Sequence, residues 1–190
     1  MAKKNEFKPD KPYSGFWGKL ILTPLQRRSV LKWSLYALTL VVLSVIQDVL
    51  LCRLDIFGAT TELVPCGIFM ICLLEGMDRG SVFALIASVL YLFSGSAAGI
   101  YCIVFITVLA VFATWLRQSF LQSGFGAAVI CTAAAMLIYE MLVFLFGVFL
   151  GMTTFSRIGS FLVCALLTAV TTPILYPILK AIGGGDIWKE

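Results

Sequence analysis

The sequence predicts an all-α, polytopic membrane protein of about six transmembrane helices. Its 190 residues are 61% hydrophobic and only 13% charged. A soluble domain carries about 25% charged residues, so this chain lacks the polar surface to cover a globule in water. Several windows reach the roughly 18 to 20 apolar residues that a hydrocarbon core about 30 Å thick requires. Short polar or glycine-rich breaks separate those windows, and the mean hydropathy is +1.01.

Three segments follow from the distribution of charge. Residues 1–30 form a basic cytoplasmic or interfacial N-terminal segment, 31–180 a transmembrane helical bundle, and 181–190 a flexible C-terminal tail ending in GGGDIWKE. Residues 1–32 hold eight Lys and Arg against Glu6 and Asp10. Such a tail beside a span orients that end toward the cytoplasm. It also attracts anionic headgroups, at about 1 kcal/mol per basic side chain near the surface. YSGFWGKLILTPLQRR mixes aromatic and basic residues in the manner of an interfacial segment. A basic stretch abutting a span points to lipid, and no nucleic-acid partner is expected. About thirty polar and mixed residues with Pro9, Pro12 and Pro24 precede the first apolar run, unlike a cleavable signal.

The first span runs from Leu31 to Leu51, with Trp33 and Tyr36 near its cytoplasmic end. Gln47 and Asp48 at its far end read as polar residues reaching the outer interface; a hydrogen bond to another helix is the alternative. CRLDIFGATTE then forms an outer loop.

LLEGMDRGSVF, from Leu73 to Phe83, places Glu75, Asp78 and Arg79 inside apolar sequence. A single helix from Glu62 to Phe93 would be about 48 Å long and hold three charges at its middle. Each charge there costs on the order of 3 kcal/mol. Two short helices, Leu63–Leu74 and Ser81–Phe93, joined by a cytoplasmic turn bracketed by Gly76 and Gly80, avoid that cost. Glu75, Asp78 and Arg79 then become an exposed surface that a cytoplasmic partner can read. Pro65 suits the first turn of the second span.

SGSAAG is an outer turn, and the fourth span, Ile100–Leu116, ends at Arg117. The fifth, Ala127–Leu150, holds Glu140, the one carboxylate placed deep in a span. A hydrogen bond within the bundle or a contact with a partner subunit is its expected role, with Arg79, Arg117 or a hydroxyl opposite it. GMTTFSR is an outer turn. The sixth span, Ile158–Leu179, contains Pro173 and Pro177, which loosen or kink it. Six spans put both termini in the cytoplasm; the Arg117 loop agrees and Arg157 dissents.

The chain has no His, and its six Cys are scattered without a CxxC pair, so no metal, haem or other cofactor is expected. It also lacks a P-loop, a GxSxG elbow and a dinucleotide fingerprint, and no enzyme activity is expected.

From Gln47 to Leu179, the order of features resembles the MreD family of rod-shape-determining proteins. A proline opens the second span in ELVPCGIF. A third span with Gly80, Ala84, Ala87 and Ser88 ends in LYLFSGSAAGI, and AVFATWLRQSF carries the basic loop. YEMLVFLF supplies the acid Glu140, and TPILYPIL the proline-bearing last span. Where the family commonly has an Asp before the SG turn, this chain has Tyr91. The resemblance implies a non-enzymatic component of the bacterial cell-elongation machinery in the cytoplasmic membrane. It implies work beside an MreC-like protein, MreB and the sidewall peptidoglycan synthases, through small residues of the third span that admit a partner helix. It further implies a bundle similar to the substrate-binding subunits of energy-coupling-factor transporters, and a vitamin-binding subunit of that kind is the alternative function.

Overall fold

The computed structural model describes residues 24–49, 61–120 and 124–184. The interfacial segment before Pro24, nearly all of the loop CRLDIFGATTE and residues 185–190 lie outside the described residues. Six helices appear in chain order: α1 (Pro24–Val49), α2 (Leu63–Glu75), α3 (Met77–Phe93), α4 (Tyr101–Phe120), α5 (Phe125–Phe149) and α6 (Ile158–Gly184). A 3-10 turn, Phe155–Arg157, leads into α6.

Among the described residues four helices, α1 from Ser29, α4, α5 and α6, are long and apolar enough to cross a membrane. The protein is a helical membrane protein on that ground. The hairpin α2–α3 is shorter. The 13 residues of α2 span about 20 Å, well under a hydrocarbon core about 30 Å thick.

Successive helices alternate in direction. Lys32, Arg79, Arg117 and Lys180 fall at one end of the bundle, called here the basic end; Asp48, the α3–α4 turn and the α5–α6 turn fall at the distal end.

The short α2 is the centre of the fold. Every residue from Leu63 to Leu73 is buried, and α2 packs on all five other helices. A helix apolar on every face is stable only where protein surrounds it. By contrast α1 buries a single stripe, Tyr36, Leu40, Leu43 and Gln47, and leaves Val41, Val42 and Val45 more than half or half exposed. That spacing of four, three and four residues is one face of a helix.

The small residues of α3 turn inward. Gly80, Ala84, Ala87 and Ser88 are buried, while Val82, Leu85, Ile86 and Leu90 face out. This corrects the expectation that the small face admits a partner helix: the bundle itself uses it. Gly80 is also not part of the turn. It lies within α3, where a Cβ would stand 2.9 Å from the Cys72 Cα of α2. Its job is to let the two helices touch backbone to backbone.

The turn is a single residue, Gly76, at φ +89°, a conformation that a side chain strains. Its amide donates to the Cys72 carbonyl at 3.0 Å, and its own carbonyl accepts from Gly80 N at 2.9 Å.

At the C-terminus, α6 runs on through Pro173 and Pro177 to Gly184. The start of the expected flexible tail, residues 181–184, is therefore helix, and Gly183 packs against the Tyr36 hydroxyl, which an added Cβ would have to displace.

Candidate functional site

Because α2 is short and the other helices pack around it, much of what its free backbone groups need is supplied by protein. Both ends are met by side chains from other helices, and those side chains assemble the polar centres of the molecule.

At the N-terminus, four amides precede the first internal helix bond. Gln47 of α1 accepts two of them on Oε1, from Leu63 N at 2.8 Å and Val64 N at 3.1 Å. The Glu62 amide donates to the Thr168 hydroxyl of α6 at 3.2 Å. The fourth position is Pro65, which has no amide hydrogen to satisfy, so its predicted first-turn role stands. Gln47 is therefore no interface residue; the helix-to-helix bond is the one it makes.

Around this cap, side chains of five helices converge. The Tyr91 hydroxyl of α3 reaches Glu62 Oε2 at 3.5 Å and the Ser96 carbonyl at 3.4 Å. Tyr139 of α5 is buried beside the Glu62 carboxylate. Glu140, 2% exposed, accepts from the Cys164 thiol of α6 at 3.2 Å. One turn and two turns further along α6, Thr168 and Thr172 donate back to the Cys164 and Thr168 carbonyls, and the Thr172 hydroxyl meets Cys66 Sγ at 3.5 Å.

Glu62 and Glu140 are near enough for their charges to interact. Thr168 lies ten residues into α6, about 15 Å from its distal end. The cap of α2, tied to Thr168, therefore lies well below the distal surface. Neither acid has an ion-pair partner among the described residues.

Two expectations change here. Glu140 is not the only deep carboxylate, and its neighbour is a thiol, with neither Arg79 nor Arg117 opposite it.

At the C-terminus of α2, Arg117 of α4 donates to the Leu73 carbonyl, where a cation also suits the negative end of a helix. Glu75 is tied to α1: Lys32 Nζ stands 2.6 and 2.8 Å from its two oxygens, and the Tyr36 hydroxyl donates at 2.7 Å. The Glu75 side chain is only 6% exposed, against 23% for Lys32. Trp33, Tyr36 and Phe83 stack beside this tie at centroid distances of 5.3 to 6.1 Å.

The structure thus divides LLEGMDRGSVF. Glu75 is an internal clamp and not a surface for a partner to read, because it neutralises Lys32 and receives a phenol. Asp78 and Arg79 are exposed in the first turn of α3, as expected.

Glu62, Tyr91, Tyr139 and Thr168 were missing from the sequence-based candidates. One signal was available: Cys164, Thr168 and Thr172 repeat every four residues, which places them on one face of α6. Nothing local marked Glu62, which reads as a loop residue. Set against known proteins, the chain matches no family model, no curated protein and no solved structure.

Proposed function

We propose that this chain is a non-enzymatic component of the bacterial cell-elongation machinery, seated in the cytoplasmic membrane with both termini inside. It organises sidewall peptidoglycan synthesis by packing against partner membrane proteins, an MreC-like protein first among them. One observation carries this reading. Between α1 and α3 runs a lateral apolar groove of about 410 Å³, walled by Leu40, Val41 and Val45 on one side and Phe83, Ile86 and Leu90 on the other.

Near the basic end, α1 and α3 meet through the Trp33–Phe83 contact. Toward the distal end, Asp48 accepts from Ser96 Oγ at 2.7 Å. Between those ties the helices part, and exposed Val41, Val45, Ile86 and Leu90 form ridges along the opening. In lipid, helices associate through close van der Waals contact, and a groove between two ridges offers more of it than a smooth face. The groove's occupant in this proposal is the single membrane helix of the MreC-like partner.

Filling the groove tests this. V45W and L90W together are expected to cut co-purification of a co-expressed MreC-like partner by about tenfold, a loss of about 1.4 kcal/mol. Insertion and thermal unfolding of the chain stay unchanged. Undiminished co-purification would sink the proposal.

A second reading, the substrate-binding subunit of an energy-coupling-factor transporter, draws on the convergence of Gln47, Glu62, Tyr91, Tyr139 and Glu140. A vitamin that raises the melting temperature of the wild type, but not of Glu62→Gln, favours this second reading over the first.

A further inference from the structure

The turn between α5 and α6 closes a second pocket, of about 260 Å³, at the distal end of the bundle. Its wall is amphipathic. Val143, Met152 and Phe161 supply the apolar part; Tyr101, Thr153 and Arg157 supply the polar part.

Local backbone geometry builds it. Gly151, at φ +71°, reverses the chain after α5. The amides of Met152 and Thr153 both donate to the Gly147 carbonyl, at 2.8 and 3.2 Å, folding the turn back over the end of α5. Gly147 permits this, since a Cβ there would lie 3.0 Å from Thr153 Cγ2.

Two of the polar groups are uncommitted. Thr153 Oγ1 is buried and finds no hydrogen-bond partner, the one buried side-chain oxygen or nitrogen in that condition among the described residues. A hydroxyl left so costs stability unless a ligand meets it. Arg157 is exposed and has no ion-pair partner among the described residues. It is also the basic residue that breaks the charge asymmetry of the chain. A guanidinium and an orphan hydroxyl beside one cavity make a receptor for a tetrahedral oxyanion.

The rim says which oxyanion. Phe149, Leu150, Met152 and Phe155 surround the turn and are 86, 54, 69 and 69% exposed. Such a rim belongs among acyl chains and glycerol backbones, and it sets Arg157 at the level of the headgroups. We infer that this pocket holds the phosphate of an anionic phospholipid of the distal leaflet. Arg157 pairs with two phosphate oxygens, the Thr153 hydroxyl donates to one of them, and Val143 and Phe161 cover the adjoining glycerol and first acyl carbons.

The full-length protein, purified from vesicles of phosphatidylcholine with and without phosphatidylglycerol, gives the test by native mass spectrometry. Wild type is expected to retain phosphatidylglycerol in preference to phosphatidylcholine. R157Q lowers retention of phosphatidylglycerol about tenfold and its preference over phosphatidylcholine with it, T153V lowers retention about threefold, and R157K keeps part of both. If R157Q does not fold, R157K and T153V carry the same comparison. Retention of phosphatidylglycerol by R157Q or T153V equal to wild type overturns the site. Inorganic phosphate and glycerol 3-phosphate supply the other arm: neither displaces the lipid at millimolar concentration if the apolar wall contributes. Displacement by inorganic phosphate overturns the lipid assignment and leaves a free-phosphate site.

Discussion

Gln47, two residues before the end of α1, accepts the amide hydrogen of Leu63 at 2.8 Å and so caps a helix to which it does not belong. The N-cap residue of α2, Glu62, makes no side-chain cap of its own. Its carboxylate is turned instead toward Tyr91 and Tyr139. One side chain of α1 thus supplies what a Ser or Asp would supply locally.

Replacing Gln47 by Leu strands the Leu63 and Val64 amides in a buried site. A stability loss of about 1–3 kcal/mol is expected, since a buried donor without a partner costs that much. Thermal unfolding in detergent measures it. Asp48→Asn, one residue on and exposed, should shift the melting temperature far less; equal shifts would refute the cap.

The Lys32–Glu75 pair should behave as a clamp between α1 and α2. Glu75→Ala also removes the acceptor of the Tyr36 hydroxyl, and a loss of about 2–4 kcal/mol follows from breaking a largely buried pair. Glu75→Gln retains the phenol bond and should lose less. The exchange Lys32→Glu with Glu75→Lys should recover part of what either single change loses. A double-mutant cycle with no coupling would show the pair to be incidental.

Reversing Asp78 and Arg79 together, D78R with R79D, should leave stability within about 0.5 kcal/mol, as exposed substitutions usually do. Under the proposed function, recruitment of a cytoplasmic partner should fall. Recruitment equal to wild type in a pull-down from native membranes would reduce this pair to solvated helix surface.

At Gly80 an added methyl meets the Cys72 backbone at 2.9 Å from its Cα and 3.0 Å from its carbonyl oxygen, with no flexible atom to yield. Gly80→Ala should therefore push α3 off α2 and cost about 1–3 kcal/mol, the usual range for overpacking. Gly126→Ala, where nothing lies within 4 Å of a new Cβ, is the matched control and should be neutral or stabilising. Equal melting temperatures for the two variants would contradict the close approach.

Glu62 and Glu140 are both acids in surroundings where an ionised carboxylate is costly, so a neutral amide at either position should not destabilise the bundle. Glu140→Gln keeps the acceptor for the Cys164 thiol and is expected to hold or raise the melting temperature. Glu62→Gln should do the same. The double variant should gain less than the two single gains combined, with a coupling of about 0.5–3 kcal/mol. Additive effects would show that the two carboxylates do not sense each other.

Much of the fold was legible in the chain. Apolar windows gave the six helices and most of their boundaries within a few residues, because crossing length and helical rise are properties of one segment at a time. The breaker Gly76 and the first-turn Pro65 were legible for the same reason: each acts through its own backbone. The candidate site was legible only in part. Glu140 stood out because an acid inside an apolar run is costly wherever the run goes, and Asp78 and Arg79 read correctly as surface.

The rest depended on packing. That Glu75 is clamped by Lys32, that Gly80 serves contact and not the turn, and that Gln47 caps α2 all follow from how the other helices pack around α2. Its ends had to borrow polar groups from α1, α4 and α6, at separations of 16 to 106 residues. The sequence by itself determined a helical membrane protein with a short hairpin. Tertiary structure decided which polar residues are internal ties and which stay on the surface, because away from water a backbone group takes whatever side chain the bundle brings to it.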